Sequence, residues 1–62
     1  MIALKARRLI AGLTQVEAAK AAGVSRTALS RWEQGKSSPS AEMLIKLAAL
    51  YKCSPGDFFA LY

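Results

Sequence analysis

Sixty-two residues, with nine Lys and Arg against four Asp and Glu, make a chain of one small domain's length with a formal charge of +5, and its 53% hydrophobic residues are the composition of a folded globule rather than a disordered chain. The single cysteine, Cys53, excludes an internal disulfide, and the absence of histidine removes the usual zinc or iron ligand and the commonest general base, so metal sites, cofactors and enzymatic chemistry are set aside. No apolar run approaches the roughly 18 to 20 residues of a membrane span, and Lys5, Arg7 and Arg8 interrupt the apolar start that a signal peptide needs, so a reducing cytoplasm and a nucleic-acid or acidic partner are expected, with no membrane and no small-molecule ligand.

The punctuation is helical throughout. Gly12, Gly23 and Gly35 each close an apolar-periodic stretch as a residue at a helix C-terminus does, and neither an alternating strand pattern nor an Asn-Gly or Asp-Gly hairpin turn occurs. A first helix is expected from about Ile2 to Ala11, with two competing faces: Leu4, Arg8 and Ala11 on one side, Ile2, Ala6, Leu9 and Leu13 on the other. The second starts after Thr14, whose hydroxyl forms a capping box with Glu17, buries Ala18, Ala19 and Ala22, and stops at Gly23. The third takes Ser25 as its cap and turns Leu29 and Trp32 inward, leaving Arg26, Thr27, Ser30 and Arg31 outward before Gly35. Beyond the polar loop 36–40, Ser40 caps a fourth helix in which Leu44, Leu47, Ala48 and Tyr51 recur at i, i+3, i+4 and i+7. Ser54, Pro55 and Asp57 read as the cap, first position and first-turn acid of a short fifth helix carrying Phe58, Phe59 and Leu61. The fold expected is all-α, five helices in a single domain over residues 1–62.

The stretch from Thr14 to Lys36 brings two short helices to a tight turn, where Gly23 tolerates positive φ and Ala19 is small enough for the axes to approach. With Val24, Leu29 and Trp32 underneath, Gln15, Arg26, Thr27, Ser30 and Arg31 are left on the outer rim of a helix that fits the B-DNA major groove. Here the sequence resembles the phage repressor and Cro-like (lambda repressor-like) helix-turn-helix family, from Leu4 to Phe59. The resemblance is carried by Arg8 before Gly12-Leu13-Thr14-Gln15, Ala19 and Gly23 in the turn, Val24-Ser25-Arg26, Trp32-Glu33-Gln34-Gly35-Lys36, Pro39, and Ser54-Pro55-Gly56-Asp57-Phe58. It departs at Arg7, where an apolar residue is usual, and at Trp32, where an aliphatic one is.

The resemblance implies a compact five-helix DNA-binding domain whose second and third helices form the helix-turn-helix. It puts Arg26, Thr27 and Arg31 in base-contacting positions, with Ser30 an added contact, and Gln15 where the family touches phosphate and braces the first recognition side chain. It also places Arg8 and Glu33 where family members join the first helix to the end of the third by a partly buried ion pair. Lys36 and Ser37, just past the third helix, are placed to reach phosphates. The function so implied is a transcriptional regulator, a repressor, in the cytoplasm of a bacterium or encoded by a phage and on the nucleoid when bound. A double-stranded operator would hold it as a homodimer, at least on DNA. Phe58, Phe59, Leu61 and Tyr62 are more than a short terminal helix buries alone, so some close the core, and the rest are read either as further core or as a dimer seam. The rival is a protein-interaction module such as an antitoxin or adaptor, whose third helix would be apolar or acidic instead of arginine-bearing.

Overall fold

The computed structural model describes residues 3–59, which form α1 (Leu4–Ile10), α2 (Gln15–Ala22), α3 (Arg26–Gln34) and α4 (Ala41–Leu50), closed by a 3₁₀ helix at Pro55–Phe59. Among the described residues there is no strand, and no helix is long and apolar enough to cross a membrane. Local chemistry sets most of the boundaries. Thr14 Oγ1 accepts from the Glu17 amide at 3.1 Å while Glu17 Oε1 accepts from the Thr14 amide at 2.9 Å, so both halves of the capping box are made. The Thr14 amide, donating to the Glu17 carboxylate, and after it the Thr14 hydroxyl hold that carboxyl below the ordinary glutamate value. Ser25 and Ser40 cap α3 and α4 by accepting from the Ala28 and Met43 amides at 3.0 and 3.1 Å. Gly23, with φ at 75°, ends α2 in the left-handed region, and the Val24 amide then donates to the Ala19 carbonyl at 3.0 Å, which turns the chain sharply into α3.

The small side chains of α2 decide the packing. Ala18, Ala19 and Ala22 are buried on one stripe, so that α3 and α4 both pack closely against α2. Leu4, Leu29, Leu47 and Phe58 fill the space between these elements. Tyr51 meets Phe58 edge-on at a ring-centroid distance of 6.2 Å, and its buried hydroxyl has no hydrogen-bond partner among the described residues. Of the two faces open to the first helix, the one bearing Leu4 and Arg8 is buried; Leu9 on the other is 58% exposed. Arg7 is half-buried and Trp32 packs half-buried against the core.

The expected fifth helix is a correction. The described residues form four α-helices, and Pro55–Phe59 is a single stretch of 3₁₀ helix. The start signals are real: the Ser54 amide donates to Asp57 Oδ2 and the Asp57 amide donates back to the Ser54 carbonyl, both at 2.9 Å. That second bond is the i to i+3 closure of a 3₁₀ turn, and a five-residue segment adds too few bonds to offset nucleation of an α-helix. What holds it is tertiary: Phe58 is fully buried and its carbonyl accepts from the Ala3 amide at 2.8 Å. Ile2, Leu61 and Tyr62, assigned to the first and fifth helices, lie outside the described residues.

A further departure comes at the end of α4. Lys52 adopts φ 56°, with its amide donating to the Ala49 carbonyl and the next amide, of Cys53, to that of Ala48. This is a Schellman closure built without glycine, and a side chain in that conformation costs on the order of 1 kcal/mol. Lys52→Gly is therefore expected to raise stability by about 0.5 to 1 kcal/mol, read as a higher melting temperature. A lower one would mean that the Lys52 side chain contributes more than its backbone costs.

Candidate nucleic-acid interface

α3 presents its outer face because Leu29 is fully buried beneath it. Arg26, Thr27, Ser30, Arg31, Gln34 and Lys36 line one shallow, open groove along that face. Three of the six are cations and none is an acid. Lys36 joins them because Gly35, at φ 76°, ends α3 in the left-handed region, and the Lys36 amide folds back to the Arg31 carbonyl at 3.0 Å. Ser37 is exposed in the loop beyond and does not line the groove. Gln34 does line it, and sequence reasoning gave it no role; its Nε2 donates to Ser30 Oγ at 2.9 Å. The signal was there in the i, i+4 spacing of Ser30 and Gln34 on the outward side.

Gln15, the first residue of α2, stands at the other end of the groove. Its Oε1 accepts from Arg26 Nε at 3.4 Å, and its Nε2 donates to Glu33 Oε1 at 3.0 Å. The structure thus gathers Gln15 with Arg26, and both with the ion pair beneath. Arg8 Nε donates to Glu33 Oε2 at 2.7 Å, Arg8 Nη2 to Glu33 Oε1 at 3.2 Å, and Arg8 Nη1 to the Leu13 carbonyl at 2.8 Å. The two charged side chains are only 7% and 3% exposed. One guanidinium therefore ties α1, the turn before α2, and the last turn of α3.

The electrostatics of Glu33 follow from this. Burial opposes its ionisation, but hydrogen bonds from Arg8 and Gln15 with the charges of Arg8 and Lys5 outweigh burial and hold its carboxyl below the ordinary glutamate value. Burial also pushes the nearby Tyr51 phenol up to about 12, with the Glu33 charge adding to the rise and Arg8 opposing it. Arg8 is committed to Glu33 and Leu13, whereas the groove cations stand on the exposed side of α3, where guanidinium forks are suited to phosphate oxygens and guanine edges.

Among curated proteins none matches the sequence. The sequence profile of the helix-turn-helix family matches residues 4–58, from the start of α1 to the buried Phe58 of the 3₁₀ helix. That span includes the capped α2, its glycine turn and the arginine-bearing α3, and the chain belongs to the helix-turn-helix family, of the repressor and Cro type, whose domain is a DNA-binding regulatory one.

Proposed function

We propose that the chain is a sequence-specific double-stranded DNA-binding transcriptional repressor, working in the cytoplasm and holding its operator as a homodimer. The observation that carries this reading is the outer face of α3, with two arginines, a threonine and a serine on one groove and no acid among them. Arg26 and Arg31 have the fork geometry to hold guanine through O6 and N7, Thr27 offers a methyl to thymine, and Ser30 a hydroxyl to either groove edge. Gln15, Lys36 and Ser37 flank that helix and serve the phosphates that set its register. The dimer reading draws on Phe59, half exposed at the tip of the 3₁₀ helix, and on the two-fold symmetry that such motifs share with their half-sites.

Selection of bound sequences from a random DNA pool tests the reading. The expected result is an enriched symmetric motif whose half-sites lie about 34 Å apart, one helical turn. No enrichment would favour the protein-interaction module; an asymmetric motif bound by one protomer would retire the dimer.

Salt dependence is a separate expected result. Each phosphate neutralised by a basic side chain lowers log K by about 0.9 per tenfold rise in salt, so a dimer neutralising about four loses roughly a hundredfold in affinity over a fourfold rise. Affinity unchanged by salt would remove phosphate contact from the reading.

A further inference from the structure

Leu9 on α1 and Val16 on α2 are each 58% exposed and stand outside the core. With Leu13, half-buried at the corner between those helices, they line an open groove of about 560 Å³. The backbone of the corner is fixed from several directions. Arg8 Nη1 donates to the Leu13 carbonyl at 2.8 Å, the Leu13 amide donates to the Arg8 carbonyl at 3.2 Å, and the capping box of Thr14 and Glu17 sets the first turn of α2. A partner therefore meets a surface already shaped, and little is lost in ordering it. Two exposed cations border the aliphatic side chains: Lys5, one turn before Leu9 on the same side of α1, and Arg26, which reaches in from α3 to Gln15. No acid lines the groove, and Arg8 beneath it is committed to Glu33.

Phosphates account for the cations and for Gln15, but they gain nothing from three aliphatic side chains. A small molecule is enclosed over most of its surface by its site, which an open groove does not provide. No strand occurs among the described residues, so there is no sheet edge for an extended peptide to join. A helix meets all these conditions: its backbone is bonded internally, it lays an apolar stripe in a groove, and acids beside that stripe complement Lys5 and Arg26. We infer that this groove docks an amphipathic helix of a partner protein, aliphatic along the buried stripe and acidic beside it, and that docking and DNA binding exclude each other. The exclusion follows from Arg26, the one residue common to this groove and to the groove along the outer face of α3. A partner acid paired with that guanidinium withdraws it from DNA, and the partner's bulk stands over Gln15, assigned above to a phosphate. Such a partner releases the operator with no change of shape in the domain. The docking stands by itself; the exclusion rests on the DNA-binding reading.

The test begins by selecting helical peptides, displayed from a pool randomised on their surface, for binding to the full chain. Enriched peptides are expected to carry aliphatic residues at i, i+4 and i+7 flanked by Asp and Glu, and the most enriched one, made synthetically, is the probe. Leu9→Ala combined with Val16→Ala is expected to weaken the probe about tenfold or more, and Lys5→Ala about threefold. All three side chains are exposed, so the variants should melt close to the parent. The double variant should keep its affinity for the selected operator. In the parent, probe at about ten times its own dissociation constant should weaken the operator about tenfold per protomer, and the operator should weaken the probe in turn. No enrichment, or a probe bound equally by parent and double variant, would overturn the docking site. Operator affinity lost in the double variant would make the groove part of the DNA interface, and self-association lost there would make a second copy its occupant; either overturns the partner named here. Enriched peptides without acids would overturn the partner's stated chemistry. Probe and operator bound together without mutual loss would overturn the exclusion alone, whereas a chain that takes the probe and no DNA would overturn the DNA-binding reading and leave the docking standing.

Discussion

Glu33→Ala is expected to destabilise the domain by about 3 kcal/mol, the size of effect seen when one partner of a buried ion pair is removed and the other stays charged in a dry site. A chain of this length has roughly 3 to 9 kcal/mol of stability in all, so the variant would lose about a third of it or more and melt at a markedly lower temperature. The loss is large because Arg8 cannot escape to water: its side chain is 7% exposed, and of its three hydrogen bonds only the one to the Leu13 carbonyl would remain. Thermal or denaturant melting checks this, and a variant that melts like the parent would show that desolvation cancels the pair's attraction. The same pair gives an acid limb with a definite sign. Glu33 ionises at lower pH in the folded domain than in the unfolded chain, so its contribution is complete above the ordinary glutamate range and is lost as pH falls through the lower folded value. Glu17, held down by Thr14, acts in the same direction. Stability should therefore fall on acidification below about pH 4.5, and fall less steeply in Glu33→Gln than in the parent. Equal slopes would assign the acid limb to other carboxylates.

The parts of this architecture that were legible in the sequence are those decided within a few residues. Thr14 with Glu17, Ser25, Ser40 and the left-handed Gly23 and Gly35 each act on amides or carbonyls one turn away, so their identities alone place the ends of α2, α3 and the start of α4. The alanine stripe of α2 and the inward Leu29 follow from helical spacing. Ser54 to Asp57 shows the limit of that logic. The residues that open a helix are identical whether it continues or stops after one turn, and what decides is Phe58 anchoring the chain end in the core. Lys52 was invisible because its positive φ is imposed by the path from α4 to the 3₁₀ helix and not by its own preference. At the site, helical spacing found the outward arginines, and family resemblance suggested the Arg8 and Glu33 pair. The resemblance also put Gln15 against the first recognition side chain, which is Arg26. Neither indicated that Gln15 reaches Glu33, since that contact spans 18 residues of sequence and exists only once α2 and α3 have crossed.

Arg26→Ala and Arg31→Ala are expected to change which DNA is preferred, whereas Lys36→Ala weakens all sequences nearly alike. All three residues are exposed, so none of the substitutions should move the melting temperature by more than a surface change does, about 0.5 kcal/mol in stability, and differences in binding report on contact rather than folding. The two arginines leave the outward side of α3 itself, Arg26 in its first turn and Arg31 in its last, so that a helix laid in the major groove brings their forks to different base pairs. Removing a bidentate contact should cost about 1 to 3 kcal/mol at one base pair and relax discrimination there, at a different position for each variant. Lys36 stands beyond Gly35, past the last turn of the helix, with a single flexible ammonium that suits a phosphate and has no fork for a base edge. Its loss should lower the salt slope by roughly one unit per protomer and leave the preferred sequence intact. Affinities of the three variants for the selected operator, its single-base variants and random DNA decide the matter. Equal losses across all of these for Arg26→Ala and Arg31→Ala would assign both arginines to the phosphate backbone, and sequence readout would then have to reside in Thr27, Ser30 and Gln34, the polar residues that share the groove with them.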